Sequence, residues 1–156
     1  MNTSEILSKA IKEAMQTVNS KLEGPFGAAV VDETGKIFLG SNTEISSHDP
    51  TAHAEVNAIR KACKEKQTHT LSGSVLYTTC HPCPMCIAAC IWANIKEVHY
   101  GCTLEDAKRY GFDDIFIYDF IEGGCKDDKV LALLAEDKKE CLALFEHYNE
   151  KRKQLN

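Results

Sequence analysis

The stretch from Asp49 to Cys86 constrains this chain more than any other. It holds His53-Ala54-Glu55 and, about thirty residues further on, Pro82-Cys83-Pro84-Met85-Cys86. One histidine and two cysteines are three good zinc ligands. Structural zinc sites usually close with four protein ligands, whereas catalytic sites keep one position open for water. Three ligands with a carboxylate beside them therefore read as a hydrolytic centre. The local signals support this. Asp49-Pro50-Thr51 is a helix start, with a capping side chain followed by proline. The spacing predicts a helix from Ala52 to Lys64, with Val56, Ile59 and Ala62 facing inward. At helical pitch His53 and Glu55 differ by about 200°, so the backbone must turn them toward one point near the helix start. Cys83 and Cys86 share a face if Pro84 opens a second helix. Both ligand groups then sit at helix N-termini, where the positive dipole end favours thiolate over thiol.

Thr3 to Val18 has the spacing of an amphipathic helix covering a sheet, capped by Thr3 or Ser4. Phe26 to Val31 and Lys36 to Ser41 read as a hairpin around Asp32-Glu33-Thr34-Gly35. Asn42 opens a polar loop that runs to Asp49. Ser74 to Thr79 is a third strand, and Glu97 to Gly101 a fourth. The helix expected between them, Pro84 to Asn94, makes the pair parallel and the sheet mixed. Leu104 to Tyr110 is a short helix, and Ile115 to Phe120 an apolar segment. Gly123-Gly124 breaks the chain. Val130 to Leu134 stays open between helix and strand. Asp137 to Lys151 is helical, with Cys141, Leu142, Leu144, Phe145 and Tyr148 on one side, and Lys151-Arg152-Lys153 reads as a solvated tail.

A chain of 156 residues fits a single domain, 1–156, able to bury its own core. The net charge of -5 and pI of about 5.7 do not favour binding a polyanion such as RNA. No apolar run approaches a membrane span, and the start lacks a secretory head. Of the eight cysteines, Cys63, Cys90, Cys102, Cys125 and Cys141 therefore read as thiols of a reduced, cytoplasmic protein rather than disulfides. Cys80 reads as a strand-end thiol beside the ligand pair.

H-x-E followed by P-C-x-x-C is the signature of zinc nucleobase deaminases. Longer words narrow the resemblance: Gly24-Pro25-Phe26-Gly27-Ala28, Asn42, Asp49 to Glu55, Leu76 to Cys80, and Gly111-Phe112-Asp113-Asp114. Together they resemble the bacterial guanine deaminases of the cytidine-deaminase superfamily, from the first helix through Tyr118. The resemblance implies a three-layer α/β/α fold, with a central mixed five-stranded sheet and helices on both faces. The last strand would lie near 130–134. It implies hydrolysis of guanine to xanthine and ammonia in purine metabolism, with one Zn2+ per subunit on His53, Cys83 and Cys86. Glu55 would act as general acid and base, and Asp114 would assist proton movement or purine recognition. Asn42 would contact the purine, and Phe26 would line the base pocket. Trp92, the single tryptophan, is a second stacking candidate or a core residue. The Ala54 N–H could hold a polar edge of the substrate. A homodimer is also implied, with the segment 126–156 packed on or exchanged with the partner.

Two departures from the family words widen the substrate range. His81 stands where many relatives carry glutamate, and the chain ends Lys153-Gln154-Leu155-Asn156 rather than in a pocket-closing aromatic residue. A more open mouth would admit guanosine, another aminopurine or a triazine. Adenosine deamination in tRNA is the runner-up, because those enzymes carry similar zinc words. A non-catalytic zinc scaffold is a third reading, and the intact Glu55 argues against it.

Overall fold

The computed structural model describes residues 1–156, which divide into two compact units, Met1–Tyr118 and Asp119–Asn156. The N-terminal unit begins with α1, Thr3–Lys21. Its cap is Asn2, one residue before those the sequence suggested. The Asn2 side chain accepts the Glu5 N–H at 2.9 Å, and the Glu5 carboxylate accepts the Asn2 N–H at 3.0 Å. This reciprocal pair satisfies two donors that a helix start leaves open.

Four strands follow: β1 Gly27–Val31, β2 Ile37–Ser41, β3 Val75–Cys80 and β4 Val98–Cys102. They lie in the order β2-β1-β3-β4. β1 is antiparallel to both β2 and β3, and β3 is parallel to β4. The mixed sheet is as expected, but it has four strands rather than five. Residues 130–134 join no strand. The N–H groups of Val130 and Leu131 bond back to the Asp127 carbonyl, so a local turn takes the donors a ladder would need.

The helices α2 Ala54–Lys66 and α3 Pro84–Trp92 carry the two ligand words, and α4 Leu104–Arg109 and α5 Ile115–Glu122 follow. The expected start of α2 at Ala52 is two residues too early. Asp49 Oδ1 accepts both the N–H and the hydroxyl of Thr51, closing a turn that helical backbone could not continue. His53 is then extended, with φ -72° and ψ 158°, and serves as the N-cap residue.

Two glycines define the layers. A Cβ on Gly27 would lie 2.0 Å from the Ala10 carbonyl oxygen, and one on Gly40 would lie 2.4 Å from that of Ala54. Gly27 pairs with Ser41, and Gly40 with Ala28. Successive strand residues face opposite sides, so α1 covers one face of the sheet and α2 the other. The main core lies on the α2 face. Val30, Phe38 and Leu76 pack there against Ala54, Ala58 and Ala62, with Cys90 and Ile95 from the α3 region.

The C-terminal unit contains α6, Lys138–Leu155, which takes in the basic run Lys151-Arg152-Lys153. No residue of 119–156 is fully buried.

Candidate metal centre and active site

The two helix starts meet at one point. His53 caps α2 and Cys83 caps α3, both in extended backbone, while Cys86 lies in the first turn of α3. His53 Nδ1 stands 3.5 Å from Cys83 Sγ and 3.6 Å from Cys86 Sγ. The three donor atoms lie within 4.8 Å of one another. On a tetrahedral zinc, a nitrogen at about 2.1 Å and a sulfur at about 2.3 Å stand roughly 3.6 Å apart. The residues therefore fit zinc in number, chemistry and spacing.

The donors share protons strongly, as crowded groups do. Cys83 is held down to about 4, first by its hydrogen bond with Cys86 and then by His53. Cys86 is pushed up by its bond with Cys83 and by burial. His53 is raised to about 9, chiefly through Cys83. Negative charge is thus favoured at Cys83, at the start of α3, where the helix dipole supports it.

Glu55 lies one residue inside α2 and is 5% exposed. Its Oε1 accepts the Thr78 hydroxyl at 2.7 Å, and its Oε2 lies 3.3 Å from Cys86 Sγ. Burial raises its pKa above the ordinary carboxylate range, and the Thr78 bond opposes that rise. A carboxylate so placed is suited to taking up and releasing a proton. Thr78 was not singled out from the sequence. Period-2 alternation in β3 puts it on the core face with Leu76 and Cys80, where a hydroxyl needs a partner. That was the available signal.

A cavity of about 250 Å³ opens on this cluster. Phe26, Asn42, His53, Glu55, Cys83 and Asp114 all line it. Burial raises the Asp114 carboxyl above its usual range. Phe26 meets Phe112 edge-on, with centroids 5.1 Å apart. The Asn42 amide is fixed at both ends: Oδ1 accepts the Ala54 N–H at 2.8 Å, and Nδ2 donates to Glu44 Oε1 at 2.8 Å. The sequence reading missed Glu44 and Phe112, which also line the cavity.

Two expected residues are not brought to the cavity. Trp92 is the last residue of α3 and is 85% exposed, so it is neither a pocket wall nor a core residue. Helical rotation turns it to solvent, while Cys86 and Cys90 face inward on the same helix. Ala54 is fully buried, and its N–H is already given to Asn42, so it does not present that donor to a ligand. His81 lines the cavity, with Nδ1 3.0 Å from the Pro82 carbonyl oxygen. The Tyr118 hydroxyl donates to that same oxygen at 2.5 Å and braces the turn before Cys83. Burial raises the Cys80 thiol to about 11, and it donates to the Thr103 carbonyl at 3.7 Å. It is a strand-end thiol, as read.

Comparison with known proteins agrees with this geometry. Residues 1–102 match the cytidine and deoxycytidylate deaminase zinc-binding region. The guanine deaminase of Bacillus subtilis is 48% identical over 122 residues, 78% of each chain. A crystal structure of guanine deaminase from that organism superposes with a TM-score of 0.88 at 41% identity, over 96% of this chain and 95% of that one. The tRNA-specific adenosine deaminase of Aquifex aeolicus is 36% identical over 74% of this chain and 75% of its own.

Proposed function

The chain belongs to the cytidine and deoxycytidylate deaminase zinc-binding family, and we propose from this premise that it hydrolyses guanine to xanthine and ammonia. The observation that carries the substrate is the 48% identity to a guanine deaminase over most of both chains. Cavity size agrees: about 250 Å³ is below the roughly 300–1,000 Å³ of sites for drug-sized ligands. A single base fits that volume better than an extended ligand. Water forms the new C2–O bond, and the C2–N bond breaks as ammonia leaves.

His53, Cys83 and Cys86 would hold zinc. When bound, zinc supplies a Lewis acid that lowers the pKa of water from about 15.7 to roughly 7. The remaining work falls to the protein's side chains. Thr78 holds Glu55 Oε1, and Oε2 faces the metal ligand Cys86 at 3.3 Å, so Oε2 is the oxygen nearer the metal position and the one to receive the proton of the attacking water. Glu55 then returns protons to the ring nitrogen and to the departing amine, a role worth roughly two to four decades in rate. Phe26 and Phe112 offer ring surface to the base, and Asn42 offers its remaining amide hydrogen. Asp114 assists proton movement or recognises donors on the purine edge; its raised pKa supports either role.

A homodimer belongs to the same reading, with segment 126–156 packed on or exchanged with a second copy. It is supported by the exposure of Leu131, Leu133, Leu144 and Phe145. A cytoplasmic location is also part of the reading. All eight cysteines are free, and no helix is long and apolar enough to cross a membrane.

The test is ammonia release by the zinc-loaded protein on guanine, guanosine, adenine, cytosine and a tRNA anticodon stem. Guanine should turn over fastest. Preference for guanosine or adenine would keep the chemistry and replace the substrate. Turnover of the tRNA stem alone would move the chain to the adenosine deaminases. Silence on every substrate with zinc present would leave a non-catalytic zinc scaffold.

A further inference from the structure

We infer that Glu44 is a positioning residue that aligns the zinc ligand His53 and the base-recognition residue Asn42 through one carboxylate oxygen. Glu44 Oε1 accepts from Asn42 Nδ2 at 2.8 Å and lies 3.6 Å from His53 Nε2. Nδ1 of that imidazole is the atom aimed at the two sulfurs. Nε2 therefore points away from the metal position and toward a carboxylate. A ligating histidine whose other nitrogen faces a carboxylate has its tautomer and ring plane fixed, and its basicity is raised.

The same oxygen settles the Asn42 amide. A carboxylate can only accept, and the Ala54 N–H can only donate. Nδ2 must therefore face Glu44, and Oδ1 must face Ala54. One amide hydrogen is left for the cavity, so at this position the site presents a donor and selects a heterocycle edge bearing an acceptor. Reversing the amide would set its carbonyl against a carboxylate and its NH2 against an N–H.

The backbone that carries Glu44 is built to hold it. The carboxylate of Glu23, 3% exposed, accepts the N–H groups of Ile45 at 3.1 Å and Ser46 at 2.7 Å. Asp49 N–H bonds to the Glu44 carbonyl at 3.0 Å. Asn57, on α2, donates to the Ser41 carbonyl and to the Thr43 hydroxyl on the other side. Glu44 is thus pinned at both flanks, while its side chain is 36% exposed. Its replacement leaves the core intact.

The inference rests on the zinc reading of the site and not on which base is bound. Zinc affinity of the full chain would be measured by competition with a chromogenic chelator. Glu44→Ala should weaken it by about 10- to 100-fold, the loss typical when a ligand's supporting partner is removed. Asp113→Asn takes the same charge from the same cavity and should stay near the parent value. The second readout is nitrogen-15 NMR of the zinc-loaded protein. The His53 Nε2 proton should exchange slowly in the parent and in Glu44→Gln, which keeps an acceptor, and rapidly in Glu44→Ala. Unchanged zinc affinity in Glu44→Ala, equal losses in Glu44→Ala and Asp113→Asn, or equally fast exchange in parent and Glu44→Ala would each overturn the assignment. Inactivity toward guanine with these results intact would strike the substrate reading alone.

Discussion

At the scale of single residues, substitutions at Glu55 and Thr78 test whether metal binding and catalysis separate. Glu55 is not among the three clustered donors His53, Cys83 and Cys86. Glu55→Gln should therefore keep zinc, measured by elemental analysis, and lose roughly 10²- to 10⁴-fold in kcat. Near-normal turnover would remove Glu55 from the mechanism. Thr78→Val tests its tuning. The Thr78 hydrogen bond lowers the Glu55 pKa against the effect of burial, so its removal raises that pKa further. Glu55 must be ionised to accept a proton, and activity is lost as pH falls through its pKa. The acid limb of the kcat/KM profile should therefore move to higher pH in Thr78→Val; an unmoved limb would show that Thr78 does not tune the base. The metal donors and Glu55 were legible in the sequence because ligand chemistry requires particular residue types at short spacing. Glu44 was not, because an acidic residue in a polar loop looks like any solvated charge. Trp92 misled because a lone tryptophan on the second ligand helix reads as a stacking or core residue, whereas the α3 rotation leaves it outside.

At the scale of elements, the site depends on how closely α2 approaches the sheet. Gly40 lets the first turn of α2 rest on β2, since a Cβ there would lie 2.4 Å from the Ala54 carbonyl oxygen and 2.6 Å from the Ala58 nitrogen. Backbone cannot yield as a flexible side chain does. Gly40→Ala should cost about 1–3 kcal/mol in urea unfolding, and it should reduce kcat as well because Glu55 moves with α2. The far end of the same helix is tied to the hairpin. Asp32 Oδ1 accepts from Thr34 and from Lys36 N–H, and Oδ2 takes Lys66 from the end of α2. The Thr34 bond is the main cause holding Asp32 far below the usual carboxylate range. A depressed folded-state pKa gives stability that is present above the unfolded value, about 3.9, and lost as pH falls toward the folded value. The urea midpoint of the parent should drop on acidification below about pH 4, and Asp32→Asn should flatten that drop. Equal slopes would show that Asp32 contributes nothing to acid stability. The hairpin and the parallel β3–β4 pair were legible here, because hairpin turn residues and a helix-length crossover fix those pairings; the antiparallel β1–β3 pairing that joins them was not. The start of α2 was less so: the Asp49 turn and the helix cap use the same residue types.

At the scale of the whole molecule, the sequence revealed the N-terminal unit far better than the C-terminal one. Residues 1–118 carry alternation, glycine contacts and ligand spacing, each tied to a specific packing partner. Residues 119–156 carry apolar residues whose burial their own unit does not supply, so their pattern could not distinguish strand from turn at 130–134. In α6, Cys141, Leu144, Phe145 and Tyr148 follow helical spacing along one stripe, and every one is exposed. Leu144 is 71% and Phe145 68% exposed. Contiguous exposed apolar surface of this kind marks an interaction site. A stable homodimer needs roughly 1,200 Å² or more of total buried area, a demand this stripe helps to meet when doubled by symmetry. The parent should sediment as a dimer at micromolar concentration. Leu144→Lys combined with Phe145→Lys should shift it toward monomer without lowering the urea midpoint of the N-terminal unit, because neither side chain belongs to that unit's core. A parent that is already monomeric would remove the shared assembly and leave the pocket of residues 26–114 to act alone. A dimer that survives both lysines would place the contact elsewhere, and the exposed α3 end at Ile91 and Trp92 is then the next surface to change.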